Sequence, residues 1–476
     1  MYISNSKTFS TVMLLTGIGC VSLGSCSKKN AKENEVSRPN IVFIMSDDHA
    51  QHALSCYGGT IDPTPNIDRL AEEGMKFNHC FVTNSLSAPS RAAILTGKYG
   101  HLNSVKMNYD LFNNTQPYLG KWLSKAGYQT AMIGKWHLKS HPTGFDYWKI
   151  LPGQGDYWDP KMVEMGDTAI NKGYVTDIIA DQTIDWIKNR DTNKPFFVMC
   201  HHKAPHVLHH AKKAHQDLYK NQDLPLPANF HDDFSTRPAA RQGRLNFTSF
   251  DSINEYDRQG DPPPDLTDKE YKEWCYQTFF KGYYRVCESL DENVGRLIDF
   301  IDQSGLKENT IVIYTSDNGF FLGEHGWYNK MWMYEESLHI PFLIRYPKEI
   351  EPGTENNEFI MNIDFAPTFL DYAGMDIPED IQGVSIRPLL EGKKPDNWRN
   401  AVYYRYYDHY TQPQYGIRTK RYKLIHFPKI DEYEMFDLKN DPREMNNIFK
   451  EEGYQDLTED MLTKLKEIKH RYQDYE

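Results

Sequence analysis

Four short stretches of the chain are apolar at consecutive rather than alternating positions, and each runs straight into a polar cluster. Ile41-Val42-Phe43-Ile44-Met45 ends in Ser46-Asp47-Asp48, and Ala131-Met132-Ile133 ends in Gly134-Lys135-Trp136-His137. Phe196-Phe197-Val198-Met199-Cys200 leads into His201-His202-Lys203-Ala204-Pro205-His206. Thr310-Ile311-Val312-Ile313-Tyr314 leads into Thr315-Ser316-Asp317-Asn318-Gly319. Runs without polar alternation suit strands buried on both faces, so they predict a sheet covered by helices. Helical patterns lie between them. The clearest opens at Thr267, where Glu270 completes a capping-box signature; Tyr283, Cys287, Leu290, Val294, Leu297 and Ile301 then keep a helical stripe until Gly305. The alternation predicts an α/β fold, a large mostly parallel sheet sandwiched by helices.

The pattern changes near Trp398. Tyr403-Tyr404-Arg405-Tyr406-Tyr407-Asp408-His409-Tyr410 is aromatic with interspersed charge, which suits either sugar recognition or a strand with one buried aromatic face. Residues 416–425 and 434–438 read as antiparallel strands, and Asp441-Pro442 as the turn into a Lys- and Glu-rich terminal helix. An α/β domain over 38–395 and a smaller α+β subdomain over 396–476 are therefore expected. At the other end, Lys7 precedes an apolar stretch too short to span a bilayer, closing in Leu23-Gly24-Ser25-Cys26. That tetrapeptide resembles the lipobox of bacterial lipoproteins. It implies a signal peptide over 1–25, a lipid anchor on Cys26, a polar tether over 26–37, and an exported protein on the periplasm-facing outer membrane.

Charge narrows the partners. The 476 residues carry 54 Lys and Arg against 66 Asp and Glu, a net charge of −12, which excludes a protein held on nucleic acid by bulk charge. Cations for an anionic ligand must then be concentrated locally. The five cysteines after Cys26 show no CxxC spacing, so neither a zinc cluster nor a disulfide scaffold follows.

In open α/β sheets the ligand site lies beyond the carboxyl ends of the strands, so the four polar strand endings read as one site. Asp47, Asp48, Asp317 and Asn318 offer only hard oxygen ligands, which suit Ca²⁺ or Mg²⁺ and not zinc. Lys135, His137, His206, Lys330 and an arginine supply the cations and proton carriers that a sulfuryl or phosphoryl group demands.

The most specific segment is Ser87-Ala88-Pro89-Ser90-Arg91, followed by Ala92-Ala93-Ile94-Leu95-Thr96-Gly97-Lys98. Pro89 and the apolar run start a helix, placing Ser87 at its positive end and Arg91 one turn along on the same face. The segment resembles the signature of the type I sulfatases, whose first residue, Cys or Ser, is oxidised to Cα-formylglycine. Thr64 to Ala71, Gly134-Lys135-Trp136-His137-Leu138, Ser316-Asp317-Asn318-Gly319, Gly323-Glu324-His325-Gly326 and Tyr334-Glu335-Glu336-Ser337 are ordered as in that family.

The resemblance implies that Asp47, Asp48, Asp317 and Asn318 hold calcium, with modified Ser87 completing the shell. It implies that Arg91 and Lys135 steady the formylglycine hydrate and that His137 is the base that later expels sulfate. His206 and Lys330 would face the sulfate and the leaving oxygen, while His325 would meet substrate or orient a loop. A serine-accepting maturase is implied as a partner. Gly153-Gln154-Gly155-Asp156-Tyr157-Trp158 and Thr143-Gly144-Phe145-Asp146-Tyr147-Trp148 look like a branch acting on glucosamine sulfates. The whole pattern is similar to bacterial N-acetylglucosamine-6-O-sulfatases. The expected substrate is the 6-O-sulfate of N-acetylglucosamine or N-sulfoglucosamine in heparan-type or mucin oligosaccharides, with Arg405, Asp408 and His409 contacting sugar. Two alternatives stay open: a phosphodiester or phosphonate ester hydrolase of the same superfamily, and a non-catalytic glycan-binding lipoprotein.

Overall fold

The computed structural model describes residues 38–243, 249–255, 257–258, 260–407 and 410–476. The proposed leader, tether and Cys26 lie outside the described residues, as do Asp408 and His409. The main sheet is built from β1 (Asn40–Asp47), β2 (Met75–Phe77), β3 (Gln129–Lys135), β4 (Tyr147–Leu151), β5 (Lys161–Glu164), β6 (Asp167–Ile170), β7 (Phe196–Pro205), β8 (Thr310–Ser316), β9 (Phe342–Arg345) and β10 (Thr354–Asn356). Its order is β10-β2-β9-β8-β1-β7-β3-β4-β5-β6. The five central strands, β8-β1-β7-β3-β4, are all parallel, with Ile44 opposite Cys200 on one side and Tyr314 on the other. Antiparallel pairings are confined to the flanks.

The continuous apolar runs have the cause that the pattern suggested. Every residue of β1 is buried. Ile41, Phe43 and Met45 enter one apolar cluster with Ala88, Ala92 and Phe369, whereas Val42 and Ile44 enter another with Val286, Leu290 and Val294. Successive side chains of a strand point to opposite faces, so helices cover both sides of the sheet. The first face carries α1 (Ser87–Thr96) and the second α2 (Val175–Lys188) and α3 (Asp268–Gln303). In α3 the Thr267 side chain accepts from the Glu270 amide and the Glu270 side chain from the Thr267 amide. The helix ends at Ser304, and Gly305 takes the left-handed conformation that terminates it, φ +75°.

A second, four-stranded antiparallel sheet follows: β11 (Ala401–Tyr406), β12 (Gln414–Thr419), β13 (Tyr422–Phe427) and β14 (Glu432–Asp437). The terminal helix α4 (Gln455–Arg471) opens well beyond Asp441-Pro442, later than the sequence pattern indicates. The intervening segment is pinned to β14 instead, because Asn447 accepts from the Met435 amide and donates to the Tyr433 carbonyl. Arg38–Glu476 forms one compact unit, and Tyr403, Tyr404 and Phe436 share an apolar cluster with Phe43 and Ala92. The small sheet is thus continuous with the core of the large one.

Candidate active site

The parallel strands deliver their polar endings to one place. Gly134 makes this possible at β3: it sits at φ +101° beside His201 of β7, and a Cβ there would lie 1.9 Å from the His201 carbonyl oxygen. Lys135 follows it. Asp48 and His137, just past the ends of β1 and β3, both adopt left-handed backbone conformations, φ +69° and +57°. Such strained residues concentrate at functional sites.

Ser87 is the first residue of α1. Leu86 before it provides no side-chain cap, and the Ala88 amide is instead taken up by Asn108 Oδ1 at 3.0 Å. Ser87 Oγ donates to Asp47 Oδ1 at 3.4 Å and accepts from Asn318 Nδ2 at 3.3 Å. One turn along, Arg91 reaches Asp317 Oδ2 through Nε at 3.0 Å and Nη2 at 2.9 Å. Its Nη1 donates to the Lys135 carbonyl at 2.7 Å, and Nη2 lies 3.6 Å from Asp47 Oδ1. Lys135 Nζ pairs with Asp47, and Lys330 Nζ with Asp48. His206 Nε2 stands 3.8 Å from Asp48 Oδ2 while its Nδ1 bonds the Val207 carbonyl at 2.7 Å. His137 lies within electrostatic reach of Lys135, Asp47 and Arg91, its Nδ1 buried and without a hydrogen-bond partner among the described residues.

Burial and neighbouring charge set the protonation states. Burial raises all three aspartates, but the attraction of Lys135, Arg91 and Lys330 holds Asp47 well below the ordinary carboxylate range. Asp317 is pushed up to about 7 by burial and by repulsion from Asp47. Burial also raises Asp48, against the pull of Lys330. His137 and His206 are driven well below the usual imidazole range by burial first and the Lys135 charge second, so both are neutral here.

The donor set fits a hard cation. One ligand atom each from Asp47, Asp48 and His206 lies within 4.8 Å of the others. Among the described residues, Asn318 Oδ1 is a buried acceptor with no hydrogen-bond partner, while its Nδ2 is engaged by Ser87 and Asp48. Carboxylate and amide oxygens in this number suit Ca²⁺ or Mg²⁺. His206 makes a tighter group with Asp47 and Asp48 than Asp317 does, because Asp317 is turned toward Arg91 and the Asp48 amide.

A cavity of about 410 Å³ opens beside this cluster, lined by Gln154, Asp156, Tyr157, Lys203, His206 and Asn254 among others. Three residues here escaped sequence reasoning. Gln154 Oε1 accepts from Lys135 Nζ at 2.5 Å, His201 Nδ1 lies 3.4 Å from Arg91 Nη1, and Lys203 sits over the Tyr157 ring at 4.8 Å. All three lie in segments whose polar character was visible, but only the fold shows which side chains converge.

Two expected substrate contacts are placed elsewhere. His325 is 1% exposed, its Nδ1 bonded to Asp232 at 2.6 Å and its Nε2 facing Asn229 at 3.4 Å. With both ring nitrogens taken by protein, it orients its loop rather than meeting sugar. Arg405 is held between the Tyr407 and Tyr415 rings, 4.8 Å from each, with Asp474 3.7 Å away; it packs the C-terminal segment onto β11.

Comparison with known proteins agrees with this geometry. The sulfatase family profile matches residues 39–375, and that of the C-terminal region of N-sulphoglucosamine sulphohydrolase matches residues 323–471. The chain is 44% identical to an N-acetylglucosamine-6-O-sulfatase of Bacteroides thetaiotaomicron, over 97% of this chain and 91% of that protein. A solved structure described as a complex with its substrate D-glucosamine-2-N,6-O-disulfate superposes with a TM-score of 0.89 at 44% identity, covering 92% of this chain and 99% of that one. A phosphonate monoester hydrolase of Agrobacterium radiobacter shares the fold at a TM-score of 0.75 and 21% identity, over 91% of this chain and 96% of that one. With its signature serine, arginine and aspartates gathered at the strand ends of a matching fold, the chain belongs to the sulfatase family, and it is an enzyme of sulfate ester hydrolysis.

Proposed function

We propose that the protein removes the 6-O-sulfate from N-acetylglucosamine or N-sulfoglucosamine in glycosaminoglycan or mucin oligosaccharides, using Ca²⁺ and a Cα-formylglycine made from Ser87. The observation that carries this reading is the position of Ser87 Oγ, at the head of α1 between Asp47 and Asn318, with Arg91 on the same helical face. The near-full-length identity to an enzyme named for this substrate supports the choice of sugar.

Asp47, Asp48, Asp317 and Asn318 would hold the cation, which when bound offsets the carboxylates and polarises the ester. An aldehyde at residue 87 supplies, once hydrated, a nucleophilic oxygen and a second hydroxyl whose deprotonation allows sulfate to leave. Arg91 and Lys135 fix the position of residue 87 against the carboxylates. Neutral His137, with Nδ1 unpartnered among the described residues, is suited to accept a proton. His206 keeps its Nδ1 proton on the Val207 carbonyl and presents Nε2 to the site. An anionic ester bound beside it favours its protonated form, which can then donate to the departing sugar oxygen. Lys330 completes the positive wall around the transferred group.

The decisive experiment matures the protein with a serine-accepting maturase and follows sulfate release. Release from 6-O-sulfated glucosamines, with little from 3-O- or N-sulfated ones or from matched phosphate esters, is expected; preference for phosphate, or for another sulfate position, would overturn the proposal. Export as a lipoprotein is proposed alongside it, and a Cys26→Ser variant should leave the membrane fraction.

A further inference from the structure

A second cavity, of about 690 Å³, adjoins the catalytic one; Leu208 and His210 line both. Both volumes fall in the range of roughly 300–1,000 Å³ typical of small-ligand sites. Their linings differ in charge. The catalytic chamber contains the carboxylates of Asp156 and Asp257 beside Lys203, a mixture suited to sugar hydroxyls. Among the described residues, the second chamber is lined by Arg258, Lys281 and Arg285 and by no carboxylate. In a chain of net charge −12 this is a local concentration of positive charge.

These cations are weakly committed. Lys281 and Arg285 stand one turn apart on α3 and so share a face. Arg285 donates through Nε to the Leu218 carbonyl at 2.8 Å, and no ion pair engages it among the described residues. Lys281 lies 3.6 Å from Asp223, and Arg258 lies 3.9 Å from Glu255 and Asp261, carboxylates whose side chains are 89% exposed or more. Pairs this exposed contribute little, about 1 kcal/mol at most. The chamber also has an aromatic wall. Trp158 is 43% exposed and held by an edge contact with Tyr174, ring centroids 5.0 Å apart. An exposed indole offers an apolar face to a sugar ring. The segment 153–158 therefore serves both chambers, Gln154, Asp156 and Tyr157 lining the first and Trp158 the second.

We infer that the second chamber binds the acidic neighbour of the target sugar, its carboxylate or sulfate facing Lys281 and Arg285 and its ring against Trp158. The enzyme then prefers an acidic oligosaccharide to a free monosaccharide. The inference deepens the proposed sulfatase reading and rests on it for the identity of the first sugar.

Calorimetry on the unmatured Ser87 protein with calcium tests it without turnover. The probes are 6-O-sulfated N-acetylglucosamine, the two disaccharides carrying glucuronate on either side of it, their sulfated-neighbour counterparts, and a disaccharide with a neutral neighbour. At least one acidic disaccharide should bind about tenfold more tightly than the monosaccharide. The double variant Lys281→Gln/Arg285→Gln should lose that gain and keep the monosaccharide Kd, while Trp158→Ala should also weaken the neutral disaccharide. No gain in the wild type, retention of the gain in the double variant, or equal weakening toward the monosaccharide would overturn the inference. Sulfate release from the monosaccharide by matured protein, with no gain for any disaccharide, would do so while leaving the sulfatase reading intact. Charge-dependent disaccharide binding without sulfate release would sustain the chamber and overturn that reading.

Discussion

Replacing Ser87 by alanine separates chemistry from stability at the site. The side chain makes two hydrogen bonds, to Asp47 at 3.4 Å and from Asn318 at 3.3 Å, both at the long end of the range. A typical intramolecular hydrogen bond contributes about 1 kcal/mol net, so losing these two long ones in Ser87→Ala should cost about 1–2 kcal/mol of folding stability. In a chain of this size that moves Tm by about 2 °C or less. Turnover responds on a different scale. Loss of a nucleophile that works as a unit with its neighbours lowers kcat by about 10⁴-fold or more, equivalent to at least about 5 kcal/mol of activation free energy.

Ser90 supplies the control, because it lies on the same helix, is also fully buried, and accepts from Asn362 Nδ2 at 2.9 Å. Ser90→Ala leaves that buried amide without its partner and should cost about 1–3 kcal/mol while keeping kcat. Sulfate release measured by ion chromatography, with thermal denaturation of both variants, checks the pair. Ser87→Ala retaining more than about 1% of turnover, or unfolding while Ser90→Ala does not, would refute the assignment of residue 87 as the attacking group.

Further consequences follow from the buried charges and the close strand contact. Arg91→Met removes the partner of Asp317 at 2% exposure and should cost about 3–5 kcal/mol, read as a lower urea midpoint at unchanged slope. Glu434, fully buried against the Tyr334 hydroxyl, is pushed up to about 7 by burial. Its raised folded value means that its contribution is fully present below the unfolded value near 4.5 and is lost as pH rises through 7. Glu434→Gln should therefore match wild type at pH 4 and exceed it by up to about 3 kcal/mol at pH 8. Gly134→Ala drives a Cβ to within 1.9 Å of the His201 carbonyl oxygen and should abolish both soluble yield and sulfate release.

The parts legible in the sequence are those that local physics decides. Consecutive apolar residues in β1, β7 and β8 announce strands covered on both faces, and the carboxylates that end β1 and β8 meet because those strands are parallel neighbours. The Thr267 capping box and Gly305 mark the two ends of α3. The remainder depends on contacts distant in sequence. His325 is a strand-side polar residue until Asp232, 93 positions away, takes its ring nitrogen. Tyr403, Tyr404 and Tyr406 are each fully buried, so β11 is enclosed on both faces and its aromatics are structural. Gln154 gains significance only because its loop folds back onto Lys135.

The charges at the site act as a set. With all three aspartates ionised, Asp47, Asp48 and Asp317 stand against Lys135, Lys330 and Arg91, three carboxylates and three cations in direct pairs. The neutral histidines add nothing to that sum. The chain's own residues thus form a nearly neutral nest within an acidic protein, which makes burial of so many ionisable groups tolerable. A divalent cation held by the oxygen ligands would leave a surplus of two positive charges, and a sulfate monoester brings only one negative charge. With that cation in place, substrate binding would leave electrostatic capacity for the negative charge that builds up on the leaving oxygen, where preorganised positive groups act most strongly. A site with one cation fewer would hold the ester and have less left for the transition state, which is why Arg91, Lys135 and Lys330 are best understood as a single balanced set rather than three separate contacts.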